Sequence, residues 1–194
     1  MFDRAPGSSK AHLRSAALCA RDALSAGYRA AAAQAIAMRG LPFEARPGMV
    51  IAGYSPIRSE IDPIPLMRKL AAAGADLALP IIVARDGPLQ FRVWSTEDKL
   101  TRGPHGILEP SHEAVEVIPD VVLVPLAAFD RTGHRIGYGA GYYDRSLAQL
   151  RGVKAVTAIG VAFAAQEIEA VPVHPHDVAL DYVLTEMKMF DLRS

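Results

Sequence analysis

The run Arg135-Ile136-Gly137-Tyr138-Gly139-Ala140-Gly141-Tyr142-Tyr143-Asp144-Arg145 has the residue types to hold a polyphosphate. Gly137, Gly139 and Gly141 remove Cβ at alternate positions, where a backbone must bend sharply or touch a ligand. The helix expected to follow would add free backbone N–H groups and a partial positive charge. Arg135 and Arg145 flank the loop and suit charge-assisted contacts to phosphate oxygens. Asp144, in the first helical turn, suits a metal ion that accompanies the phosphates. A solvated surface turn is the plain alternative. Against it stand Tyr138, Tyr142 and Tyr143, because solvent loops favour small polar residues. No G-K-[ST] follows and the G-x-G-x-x-G spacing is absent, so neither a Walker A loop nor a dinucleotide fingerprint is present.

The elements that must position this loop are legible around it. Val121-Val122-Leu123-Val124-Pro125 reads as a buried strand before it. Tyr143, Leu147 and Leu150 form a helical stripe after it. At the other end of the chain, Ser8 or Ser9 predicts a helix start. Leu13, Ala17, Ala20 and Leu24 predict its apolar face. Lys10, Arg14 and Arg21 fall within about 40° of one another beside that face. Cations at such a border either point into a cleft or lay their stems along the core with the heads in water. A second helix over about 26–41 is expected to end at Pro42 and Pro47.

Residues 49–54 read as a strand with residues 55–60 as its exit loop, and Asp62 with Pro63 predicts the next helix start. Ligands of open α/β sheets collect at the carboxyl ends of strands. Glu60 sits after such an end, either to meet the donor edge of a heterocycle or as an acid favoured by the helix dipole. Further strands are expected over 76–82, 89–94, 155–163 and, as the last, 181–185. Residues 102–110 read as a loop. Trp94 reads as core in preference to a stacking platform. His174, His176 and Asp177 have metal-compatible spacing but no second ligand cluster, so exposed histidines are expected.

A chain of 194 residues fits one domain, with residues 1–7 as a loose start. A net charge of +0 argues against a nucleic-acid footprint. One cysteine, Cys19, excludes an internal disulfide or a cysteine zinc site. The start Met1-Phe2-Asp3-Arg4-Ala5-Pro6 lacks signal-peptide form. Arg21, Asp22 and Arg29 break the alanine-rich stretch, so it is not a membrane span. The expectation is a cytoplasmic monomer without nucleic-acid or membrane partners. The alternation of strands and helices predicts an α/β fold.

Val124-Pro125, Phe129-Asp130, Gly133 and the run from Arg135 to Arg145 together resemble the signature of the 5-formyltetrahydrofolate cyclo-ligase family. The resemblance extends from Lys10 to about Thr185. It implies a three-layer α/β/α single domain with a mainly parallel, Rossmann-like sheet. It implies ATP- and Mg²⁺-dependent cyclisation of 5-formyltetrahydrofolate, with ATP and the folate as small-molecule partners. Lys10 and Arg14 match the family's phosphate-contacting pair, and with Arg135 they are the implied catalytic residues. Arg135, Ile136, Gly137, Tyr138, Gly139, Ala140, Gly141, Tyr142 and Tyr143 complete the implied ATP site. Glu60-Ile61 matches the folate-binding glutamate, with Ser55, Tyr138 and Tyr142 as further substrate contacts. Asp144 and Asp177 are the implied magnesium ligands. Ala140 stands where the family often has Gly or Lys, and Ala127-Ala128 where Gly-Leu-Ala is common. An inactive binding paralogue, or an ATP-dependent enzyme with another substrate, remain alternatives. Arg135→Ala and Asp144→Ala are each expected to lose turnover while the fold survives.

Overall fold

The structure, a computed structural model, describes residues 9–193. The loose start expected over 1–7, and Ser8 as a cap, lie outside the described residues. Helix α1 (Lys10–Asp22) begins at Ser9, whose hydroxyl accepts from the His12 amide. Helix α2 (Ala26–Arg39) has the same device at Ser25. It ends at Gly40 with φ 78°, earlier than the prolines predicted. A glycine adopts this left-handed geometry without a Cβ penalty and stops the helix first.

Strand β1 (Val50–Ala52) leads to helix α3 (Ile64–Ala72) and strand β2 (Asp76–Ile81). The helix starts one residue later than predicted, with Pro63 as its N-cap, and Asp62, one position ahead, accepts from the Ile64 amide at 2.9 Å. Strand β3 (Gln90–Val93) follows, then β4 (Thr101–Arg102), β5 (Leu108–Glu109) and β6 (Glu116–Val117). Strands β4 and β5 pair where only a loop was expected. Strand β7 (Val121–Pro125), the hairpin β8 (Ala128–Phe129) and β9 (Arg135–Ile136), and helix α4 (Tyr142–Val153) come next. Strands β10 (Thr157–Val161), β11 (Tyr182–Leu184) and β12 (Met189–Asp191) close the chain. The last is a correction, since 181–185 was expected to be the final strand. Its three residues are too short and too exposed to carry a periodic signal.

The main sheet runs β12-β11-β10-β7-β1-β2-β3-β6. The five central strands β11, β10, β7, β1 and β2 pair in parallel, and the pairs outside them are antiparallel. Side chains alternate across this sheet between two cores. Ile51, Leu77, Leu79, Leu123 and Ile159 pack with Ile36, Leu66 and Leu70 of α2 and α3. Ala52, Ala78, Val122, Val124 and Ala158 pack on the other face with Leu147 of α4. The result is three layers, α/β/α. Trp94 is 5% exposed within the first core. Among the described residues, no helix is long and apolar enough to cross a membrane.

The hairpin that leads into the glycine loop is fixed by one buried acid. Asp130 accepts from the Thr132 and His134 amides, the Thr132 hydroxyl and, through its other oxygen, the Val171 amide. Burial pushes its pKa up, but these four donors offset that and hold it below the ordinary carboxylate value. Its stabilising contribution is therefore present above the unfolded carboxylate pKa and is lost as pH falls through the folded one. Asp130→Ala strands the buried Val171 amide and should lower unfolding stability by about 2–4 kcal/mol at neutral pH. Urea titrations of both proteins should show this gap shrinking in acid, and a pH-independent gap would contradict the assignment.

Candidate active site

A cavity of about 480 Å³ opens at the carboxyl ends of β1, β2 and β7. Its walls come from the β1 exit turn with Ser55 and Glu60, from Arg14 of α1, and from the glycine loop with the start of α4.

The glycine loop reaches the cavity because the backbone demands it. Gly139 and Gly141 have φ of 103° and 67°, values that glycine alone adopts routinely. Gly141 is the N-cap of α4 and brings no capping side chain. The first helical bond runs from the Arg145 amide to the Gly141 carbonyl. The amides ahead of it are left as donors at the positive end of the helix, in residues that line the cavity. Arg14 lies beneath the loop, and its Nε donates to the Gly137 carbonyl at 2.7 Å. Its Nη groups have no protein partner among the described residues and approach the space beside Gly139 at 3.8 Å. Arg145 closes the other side of the loop, donating to the Ala140 carbonyl at 2.8 Å.

Four further predicted groups form two neighbouring ion pairs, of which Arg135 and Asp144 line the cavity and Lys10 and Asp177 do not. Arg135, on β9, has a side chain 4% exposed and pairs with Asp144 at 2.7 Å. It also donates to the Val178 carbonyl, while Asp144 accepts from the Val178 amide at 3.1 Å. Burial lowers the guanidinium pKa, and Asp144 and Asp177 oppose that shift. Lys10 pairs with Asp177 at 2.5 Å, and Asp177 also accepts from the His174 amide. Burial raises the Asp177 pKa, but Lys10 and that amide more than compensate and hold it low. Two of the three predicted phosphate-binding cations are thus paired with the two predicted metal-binding acids. Arg135 faces inward and not along a solvent-exposed loop, because β9 pairs with β8 and turns it under α4.

Asp144 Oδ2 and Asp177 Oδ1 have no hydrogen-bond partner among the described residues. Hard oxygen donors of this kind, completed by phosphates and water, suit Mg²⁺. No group of three metal-ligating side chains occurs among the described residues. His174 and His176 are exposed and stack on each other at 5.7 Å, as expected of a surface pair.

Glu60 is only 9% exposed. Arg58, in a left-handed conformation with φ 54°, turns the chain so that Glu60 enters the cavity. Glu60 Oε2 accepts from the Ile57 amide at 2.8 Å. Burial raises its pKa, although Tyr138, the Ile57 amide, Arg21 and Arg58 pull the other way. Ser55 and Tyr142 line the same cavity, whereas Trp94 does not.

Sequence reasoning left Arg21 without a role. It is 2% exposed and sits among these groups. The signal was its place on the basic stripe, since Ala20, expected on the packed face, is exposed and Arg21 is buried.

The 5-formyltetrahydrofolate cyclo-ligase family profile matches residues 6–186. The 5-formyltetrahydrofolate cyclo-ligase of Mycolicibacterium smegmatis is 35% identical over 189 residues, covering 91% of this chain and 93% of its own. The enzyme of the same name from Escherichia coli K12 is 32% identical over 146 residues, covering 73% and 80%. The structure of Aquifex aeolicus 5,10-methenyltetrahydrofolate synthetase superposes with a TM-score of 0.78 at 30% identity, covering 95% of this chain and 93% of that one.

The ion pair changes one expectation. Removing Asp144 leaves a buried guanidinium unpaired, so Asp144→Ala should lose about 3–5 kcal/mol of stability as well as any function. Asp144→Asn, which keeps the acceptor for Val178, should lose less. Thermal unfolding of the two variants measures the difference, and equal Tm values to the parent would remove the pair from its structural role.

Proposed function

The chain belongs to the 5-formyltetrahydrofolate cyclo-ligase family, and from that membership we propose that it closes 5-formyltetrahydrofolate to 5,10-methenyltetrahydrofolate with consumption of ATP. It is an enzyme of the cyclo-ligase class. The observation that supports the ATP-dependent reading is the uncapped α4 N-terminus, which opens with its glycine loop onto the same cavity as Glu60. A phosphate donor and a heterocycle can therefore lie within reach of each other.

A formamide oxygen is a poor leaving group. In the proposed reaction the γ-phosphoryl group passes from ATP to the formyl oxygen and ADP departs. N10 then forms a bond to the formyl carbon, the C–O bond breaks, and phosphate leaves with that oxygen. The N10 proton goes to solvent. The chain's part is placement and charge complementarity, as in other phosphoryl transfers. The amides of residues 139–144, with Arg14 and Lys10, would hold the triphosphate. Arg135 would keep Asp144 and the loop in register beneath it. Asp144 and Asp177 would hold Mg²⁺, whose charge neutralises phosphate oxygens. Lys10 would exchange Asp177 for phosphate as the nucleotide enters. Glu60, Ser55 and Tyr142 would take the pterin side. No side chain at the cavity is placed as an obligatory base.

The test is one assay with purified protein, 5-formyltetrahydrofolate and Mg²⁺, followed by the absorbance of the methenyl product. Product should form only when ATP is present and should cease on chelation of the metal. ATP turnover without this product would point to another carbonyl substrate. Because burial raises the Glu60 pKa and its ionised form is the acceptor, kcat/KM for the folate should fall in acid with a midpoint above the ordinary glutamate value. A flat profile through that range would remove Glu60 from the folate site.

A further inference from the structure

Arg21 is a guanidinium 2% exposed at the inner face of α1, and its hydrogen bonds cross three elements. Its Nε donates to the Ser59 hydroxyl at 3.0 Å. Ser59 in turn donates to Asp22 at the end of α1. Its Nη1 donates to the Tyr138 hydroxyl at 2.5 Å, and its Cζ lies 5.7 Å from the Tyr138 ring centroid. The Tyr138 hydroxyl in turn lies beside the Glu60 carboxylate and favours its charged form, and Ser59 immediately precedes Glu60 in the chain. Arg21 therefore ties α1 to the glycine loop through Tyr138 and to the residue before Glu60 through Ser59.

Burying a guanidinium is costly unless its geometry is satisfied. Fastening the exit turn to α1 needs only the Arg21–Ser59–Asp22 part. The Nη1 contact goes further, to a tyrosine that lines the cavity and is itself 38% exposed. A residue placed only for packing has no need of that reach.

Resting on the folate reading above, we propose that Arg21 is a positioning residue for substrate binding. Acting through the Tyr138 hydroxyl, it holds the Glu60 carboxylate in place as the acceptor for the donor edge of the substrate's heterocycle. The cation also acts on Glu60 across space and favours its charged form. Around Glu60 stand Arg21 and, beyond Ser59, Asp22 from α1, Arg58 and Asp62 from its own loop, Tyr54 from the end of β1, Tyr138 from the glycine loop and Tyr143 from α4. Arg21 and Arg58 are the cations in this set, and Arg58 is exposed and the more screened of the two.

The decisive measurement is a ¹³C-detected titration of the glutamate carboxyls in the full-length protein, with Glu60 assigned by its loss in Glu60→Gln. Arg21→Met should move the Glu60 midpoint to higher pH, and Arg21→Lys should restore part of the shift. Tyr138→Phe breaks the same chain from the half-exposed side, so it decides the matter if Arg21→Met does not fold. It should also move the midpoint upward. In Arg21→Met, KM for 5-formyltetrahydrofolate should rise on the order of tenfold in mild acid, with kcat changed less than about twofold. An unmoved midpoint in the folded variants, or a fall in kcat alone, makes Arg21 a structural fastener and overturns the proposal. A parent protein that fails to convert 5-formyltetrahydrofolate would defeat the folate reading, while the titration still decides whether Arg21 governs Glu60.

Discussion

The site depends on an ion pair whose guanidinium is buried. Arg135 and Asp144 meet beneath the start of α4, and both bond to the backbone of Val178. That junction joins the β8–β9 hairpin, the first turn of α4 and the segment that carries Asp177. Such a pair contributes little to stability by its mere presence, because desolvation offsets most of the attraction. Its value is geometric. With both partners satisfied, the hairpin can approach α4 in few ways, and the glycine loop between them inherits that placement.

Helix α1 supplies the other half of the frame. Beside the packed residues Leu13, Ala17 and Leu18 it turns a row of cations toward the cleft, with Lys10, Arg14 and Arg21 meeting Asp177, Gly137 and Tyr138 in turn. Apolar residues in place of that row would have made a tighter seam and a closed one. A cationic face leaves a cleft whose walls are held by directional bonds, and one in which a polyanion can replace a carboxylate. The Lys10–Asp177 pair suits such an exchange, since neither side chain is deeply buried.

The parallel sheet explains why everything meets at one edge. The central strands β11, β10, β7, β1 and β2 all run the same way, so the exits of β1, β2 and β7 and the turn after β9 open together. The two apolar cores hold that sheet rigid from both sides. The cavity is thus lined by loops whose ends are fixed.

The residues by themselves determined the fold class, the glycine loop and most of the groups that the cavity brings together. Alternating strands and helices are local patterns, and so are glycines that need left-handed geometry at Gly139 and Gly141. The serine cap of α1 was legible for the same reason. Pairing was not local and could not be read. The turn of Arg135 away from solvent depends on β9 meeting β8, and the mutual neutralisation of Lys10 and Asp177 joins residues at opposite ends of the chain. Arg21 shows the limit most clearly. Its position on the helix wheel placed it at a border, but whether a border cation reaches water or enters the protein depends on what packs there. Only the approach of Ser59 and Tyr138, delivered by two distant loops, decided that it is buried.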